Sequence, residues 1–137
     1  MTNVLTGGCY CGGIRYQAEG TPLLRVECQC RECQHVSGGA ANLVIGMPKE
    51  GFTYTKGTPK PFARADLETP RTRDFCPKCG THLLTHSPPR PNMVMVKVGT
   101  LDDPDIFNKP DMIIYTKDAQ SWHHQPEGIP TYPEMPS

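Results

Sequence analysis

The sequence has no apolar run long enough for a membrane-spanning helix, no net charge at neutral pH, and no 3.6-residue apolar period lasting beyond two turns. The first absence excludes a helical membrane span. The second argues against a nucleic-acid or acidic-membrane partner, which would call for a basic surface. The third, set beside fifteen prolines and thirteen glycines, predicts an all-β chain of short strands broken by turns. The opening Met-Thr-Asn-Val-Leu-Thr-Gly-Gly lacks a charged region followed by an apolar one, so no signal peptide is expected. Thiols in such a chain are expected to be reduced, in the cytoplasm. A length of 137 residues predicts a single domain, 1–137, with a proline-rich tail from about residue 125. There is no internal repeat and no low-complexity linker.

What is present is cysteine. Cys28, Cys30 and Cys33 form a C-x-C-x-x-C cluster, and the other four fall as C-x-C (Cys9, Cys11) and C-x-x-C (Cys76, Cys79). A C-x-C pair does not readily close as a disulfide, because so small a ring strains the preferred torsion. Both of its sulfurs still reach one metal ion, since a thiolate–zinc bond is about 2.3 Å long. An odd cysteine count without an export signal favours zinc over disulfides. One set of four and one set of three is the pattern of a structural zinc beside a zinc with an open position, two per chain. Spacing alone also permits Cys33 or His35 to complete a set with another knuckle.

In chain order, Gly7 to Gly13 is a glycine-flanked knuckle. Ile14, Tyr16 and Ala18 alternate with Arg15, Gln17 and Glu19, which predicts a half-buried strand. Leu24, Val26 and Cys28 alternate likewise and deliver the chain into the cluster of three. Ala40 to Met47 predicts a strand covered on both faces. Phe52 to Thr55 and Pro61 to Arg64 predict further strands, and Ala65 to Arg73 a polar loop. In the second knuckle, Cys76-Pro77-Lys78-Cys79-Gly80, proline fixes the turn and glycine lets the backbone close beneath a metal. His82 to Thr85 should leave it as a strand. Met93 to Val98 is the clearest strand, with Val94, Val96 and Val98 on one face and Met93 and Met95 on the other. Met112 to Tyr115 predicts a last short strand.

Gly7-Gly8-Cys9-Tyr10-Cys11-Gly12, Cys28-Gln29-Cys30-Arg31-Glu32-Cys33 with Ser37-Gly38, Arg73 to Leu83, and Val98-Gly99-Thr100-Leu101-Asp102-Asp103-Pro104 occur together in order. With Lys117 to Trp122 and Gly128-Ile129-Pro130, they make the chain resemble, over nearly its whole length, the family of the glutathione-dependent formaldehyde-activating enzyme, which includes centromere protein V. The resemblance implies a zinc-stapled, mainly antiparallel fold of β-tent type. It implies a structural zinc at Cys9, Cys11, Cys76 and Cys79 and a catalytic zinc at Cys28, Cys30 and Cys33. It also implies a histidine on the short strand before the Trp motif, where this chain has Ile113.

Three thiolates leave a zinc ion with net negative charge, which makes it a weak Lewis acid but a suitable seat for another thiol. Together with the resemblance, which implies glutathione and formaldehyde, this makes the leading function a carbon–sulfur lyase acting on adducts of glutathione, or another thiol, with a small aldehyde. The alternatives are a zinc-dependent hydrolase of an imine or thioester, and a non-catalytic zinc protein; a homo-oligomer is compatible with each. Around the cluster, His35 is a fourth ligand, a proton carrier or a solvent-facing turn residue. Arg31 offsets the cluster's charge, holds a carboxylate or is merely exposed, and Glu32 is a general acid or base or a solvated carboxylate. His123 and His124 diverge as neighbours and make a poor metal pair. Trp122 is expected to pack under the tail.

Overall fold

The computed structural model describes residues 3–136. The alternation at residues 14–19 folds as β2 (Arg15–Glu19), which buries Tyr16 and Ala18 and turns Glu19 to solvent. It pairs antiparallel with β1 (Val4–Gly8) on one side and β5 (Phe52–Lys56) on the other, a three-stranded sheet. A second sheet has seven strands, ordered β10 (Met112–Ile114), β3 (Leu24–Cys28), β4 (Asn42–Pro48), β9 (Met93–Lys97), β8 (His82–His86), β7 (Thr72–Phe75) and β6 (Lys60–Phe62). The fold is thus mostly β, as expected, and the central strand β4 buries Val44 to Met47 in succession.

Because side chains alternate across a strand, the large sheet serves two interiors. Ile45 and Met47 of β4 and Val94 and Val96 of β9 join Tyr16 and Ala18 in the main core, between the sheets. Val26, Val44, Met95, Met112 and Ile114 point the other way and form a second apolar cluster with Cys28 and Cys33. The split of valines from methionines along β9 follows the sequence pattern, and Val98 continues the valine face just beyond the strand.

Two departures from the sequence expectation matter for function. Residues Arg31–Ser37 form a short helix, α1, which the all-β expectation did not include. And β10 pairs parallel to β3, not antiparallel. Its outer edge is covered by the tail: Ile113 N donates to Pro130 O, and Tyr132 N donates to Ile113 O, both at 2.9 Å. Covering that edge satisfies backbone groups that would otherwise be open for pairing. Among the described residues, no helix is long and apolar enough to cross a membrane.

Candidate metal centres and active site

The two knuckles, 65 residues apart at Cys11 and Cys76, meet in space. Thiols of Cys9, Cys11, Cys76 and Cys79 all lie within 4.8 Å of one another. Four thiolates at the corners of a tetrahedron, with bonds of about 2.3 Å, sit about 3.8 Å apart. The Sγ–Sγ separations of 3.6 Å for Cys9–Cys11 and 3.8 Å for Cys11–Cys76 fit that edge. A disulfide would need about 2.05 Å, and all seven cysteines are free. The backbone turns its amides on the sulfurs: Ile14 N donates to Cys9 Sγ at 3.2 Å and Cys79 N to Cys76 Sγ at 3.5 Å. The Thr81 hydroxyl and amide pull the Cys79 thiol down to about 5. Such donors favour the thiolate, the form that binds metal.

Cys28, Cys30 and Cys33 gather separately, at the junction of β3 and α1. Cys30 is the N-cap of α1, its sulfur accepting from Cys33 N at 3.3 Å. One turn of helix then sets Cys33 on the same side as Cys30, and Gly38, at φ 83°, ends the helix in a left-handed turn that favours glycine. Hydrogen bonds from the Cys28 and Cys33 thiols, aided by the Cys33 and Glu32 amides, hold the Cys30 thiol far below its ordinary range. The same thiol contacts push Cys28 up. Among the described residues, no histidine nitrogen or carboxylate oxygen joins this group. Both donor sets therefore suit a soft divalent metal such as zinc, one with four ligands and one with three.

The helix is short, and its placement depends on the tail. Buried Gln34 donates through Nε2 to Gln29 O at 2.9 Å and Asp118 O at 3.0 Å, while Gln120 Nε2 donates to Gln34 Oε1 at 3.2 Å. The Trp122 indole and His123 Nε2 both donate to Gly39 O, at 2.9 and 3.0 Å. Trp122 is exposed and does not pack under the tail. His35 is also exposed, its Nδ1 donating to Arg31 O at 2.8 Å, and His124 faces solvent. None of these histidines stands in either thiol group.

Beside the three thiols lies a cavity of about 420 Å³. Its floor is the second face of the large sheet, and the register lays it out in rows: Ile114–Cys28–Asn42, then Met112–Val26–Val44–Lys97, then Leu24–Gly46–Met95–Thr85–Arg73. Arg31, Arg64, Arg71, Arg73 and Arg90 ring it, against the two carboxylates Glu32 and Asp118. Arg73 is buried and pairs through Nη1 with Glu32, and Arg31 donates to Gln34. Ile113, where the resemblance implied histidine, is fully buried but points away from the cavity, which Met112 and Ile114 flank it to line.

Sequence reasoning missed Lys97. This buried lysine donates from Nζ to Asn42 Oδ1 at 2.9 Å, and Asn42 Nδ2 donates to Cys33 Sγ at 3.5 Å. Burial pulls its ammonium down to about 8, although the nearby thiols oppose that shift. The available signal was a lysine ending an otherwise apolar strand. Arg73 was visible only as the first residue of the second knuckle's motif.

Comparison with known proteins agrees with this geometry. The family model described as glutathione-dependent formaldehyde-activating enzyme matches residues 4–118. A crystal structure of a Rhodobacter sphaeroides protein is similar in fold, with TM-score 0.61 at 16% identity over 77% of this chain and 96% of that one. With both cysteine groups inside the matched stretch, the chain belongs to the family of the glutathione-dependent formaldehyde-activating enzyme.

Proposed function

We propose that the chain is a carbon–sulfur lyase that forms or cleaves the adduct of a thiol, glutathione in the first instance, with a small aldehyde. In this reading Cys9, Cys11, Cys76 and Cys79 hold a structural zinc, and Cys28, Cys30 and Cys33 hold a second, catalytic one. The observation that carries it is that the group of three lines the cavity, whereas none of the group of four does. The family's description supports the substrate class.

Cleavage of a hemithioacetal breaks the C–S bond with its electron pair leaving on sulfur. The hydroxyl proton departs as the C=O bond forms, and the thiolate takes up one proton. No oxidant is required. Zinc on three thiolates would supply a soft, exchangeable position for the thiol sulfur. The chain's own residues do the remainder. Lys97, through Asn42, and Arg73 place buried positive charge behind the anionic cluster. Glu32, oriented by Arg73 on the cavity wall, accepts the hydroxyl proton. The arginine ring suits the carboxylates of glutathione.

The test compares wild type with Cys30→Ser. Elemental analysis should give two zincs per chain for the first and one for the second, and glutathione should bind only wild type by calorimetry. Formaldehyde consumption in the presence of glutathione should vanish in the variant. A single zinc in wild type, with Cys28, Cys30 and Cys33 freely alkylated, would overturn the site. Glutathione binding equally to both proteins would show that the thiol is held elsewhere, and binding to neither would favour the imine or thioester hydrolase.

A further inference from the structure

A one-carbon aldehyde adduct of glutathione offers little apolar surface, yet the cavity floor is apolar over several side chains. Leu24, Val26, Val44, Met95 and Met112 lie on four neighbouring strands, β10, β3, β4 and β9, in adjacent rows, beginning at the thiol group and running away from it. Leu24, Met95 and Met112 stay partly exposed over the buried Val26 and Val44, and an apolar cavity lining of this kind is the ordinary mark of a ligand's apolar part. Its charged lining is one-sided: of five arginines, Arg73 pairs with Glu32 and Arg64 with Asp66, which leaves Arg31, Arg71 and Arg90 against Asp118. The tail adds to the same wall, since Met135 and Pro136 line the cavity from beyond the stretch that the family model matches. Glu134 anchors that end through an ion pair with Lys117 at 2.8 Å, and Tyr115 N donates to Glu134 O at 3.2 Å.

Resting on the thiol-adduct reading, we infer that the preferred substrate is an anionic thiol adduct whose aldehyde-derived part is an apolar chain or ring of several carbons, seated on the Val26–Val44–Met95–Met112 floor. The carboxylates of the thiol portion lie toward the arginine rim, and the reacting C–S bond lies at Cys28, Cys30 and Cys33. The bond changes are those of any hemithioacetal and need no further reactant; what changes is the group carried on the carbon. A single carbon would leave the floor wet, whereas a chain would displace water from it and gain the transfer free energy of each buried methylene.

Stable thioethers test this without turnover. Calorimetric titration of the zinc-loaded protein with S-methylglutathione and S-hexylglutathione should show the hexyl compound binding tighter by about tenfold or more, a factor well within the burial of several methylenes. Met112→Glu, which sets a carboxylate on the floor, should weaken the hexyl compound at least about fivefold more than the methyl one. Should that variant fail to fold, Met135→Glu, at an exposed tail position, provides the same comparison. Equal binding of the two compounds, or tighter binding of the methyl one, overturns the inference and leaves the thiol-adduct reading standing. Binding of neither overturns both.

Discussion

Lys97 is 7% exposed, and its ammonium finds a partner only in Asn42 Oδ1 among the described residues. Burying a cation is costly unless an anion nearby compensates. The compensation is the thiol group, reached through the Asn42 amide that donates to Cys33 Sγ. A zinc on three thiolates would carry net negative charge, so a lysine at this distance stabilises the loaded site rather than the bare fold. Lys97→Met keeps the chain's length and removes the charge. Its expected effect is a loosening of the second zinc by about tenfold, the low end for partners behind metal ligands, measured as zinc release to a colorimetric chelator. Melting temperature should stay within a few degrees of wild type, because removing a desolvated charge relieves its own cost. Unchanged zinc release with a lower melting temperature would assign Lys97 to packing alone.

The elements show where sequence patterns suffice and where they do not. β2 and β9 were legible because one face is buried and period-two alternation records it, at Tyr16 and Ala18 and at Val94 and Val96. The grouping of the thiols into four and three was legible because thiol chemistry allows few spacings. Helix α1 was not, since seven residues carry no apolar period; a sulfur cap, the Gly38 stop and the Gln34 anchor hold it instead. The cavity's arginines were hidden for another reason, being scattered from Arg31 to Arg90 until the sheet collects them. A tight approach was hidden too. At Gly7 in β1 an added Cβ would stand 2.4 Å from both Thr100 O and the buried Tyr16 hydroxyl. That hydroxyl already bonds Thr100 Oγ1 at 2.7 Å, and Gly7 bridges to Leu101. Gly7→Ala must therefore push β1 off the 100–102 segment, two residues before Cys9, the first thiol of the four-thiol group. A loss of about 1–3 kcal/mol is expected from such overpacking, read from denaturant melts; a variant as stable as wild type would show that the strand shifts freely.

At the scale of the whole molecule, two sheets share one modest core, and the polar ties across it include Gly7 with Leu101, Thr6 and Arg15 with Asp102, Tyr16 with Thr100, and Tyr54 with Asp74. The four-thiol group brings the end of β1 beside the β7–β8 turn, and so the small sheet beside the large one. The three-thiol group closes only a short stretch at one end of β3. If both are zinc sites, they differ in what they hold together. A closed site linking distant segments contributes its binding free energy to folding, whereas a local one spans residues that β3, β4 and the tail already fix. Cys76→Ser, at a buried sulfur, should thus lower the melting temperature by about 10 °C or more, the scale set by losing a few kcal/mol in a domain of this size, or abolish soluble expression. Cys30→Ser should melt within about 5 °C of wild type, since only a partly buried thiol and a helix cap are altered. Thermal scans of the two variants, with zinc content measured on the same samples, decide the matter. Similar small shifts for both would mean that the core alone holds the sheets, and a larger shift for Cys30→Ser would exchange the roles of the two groups.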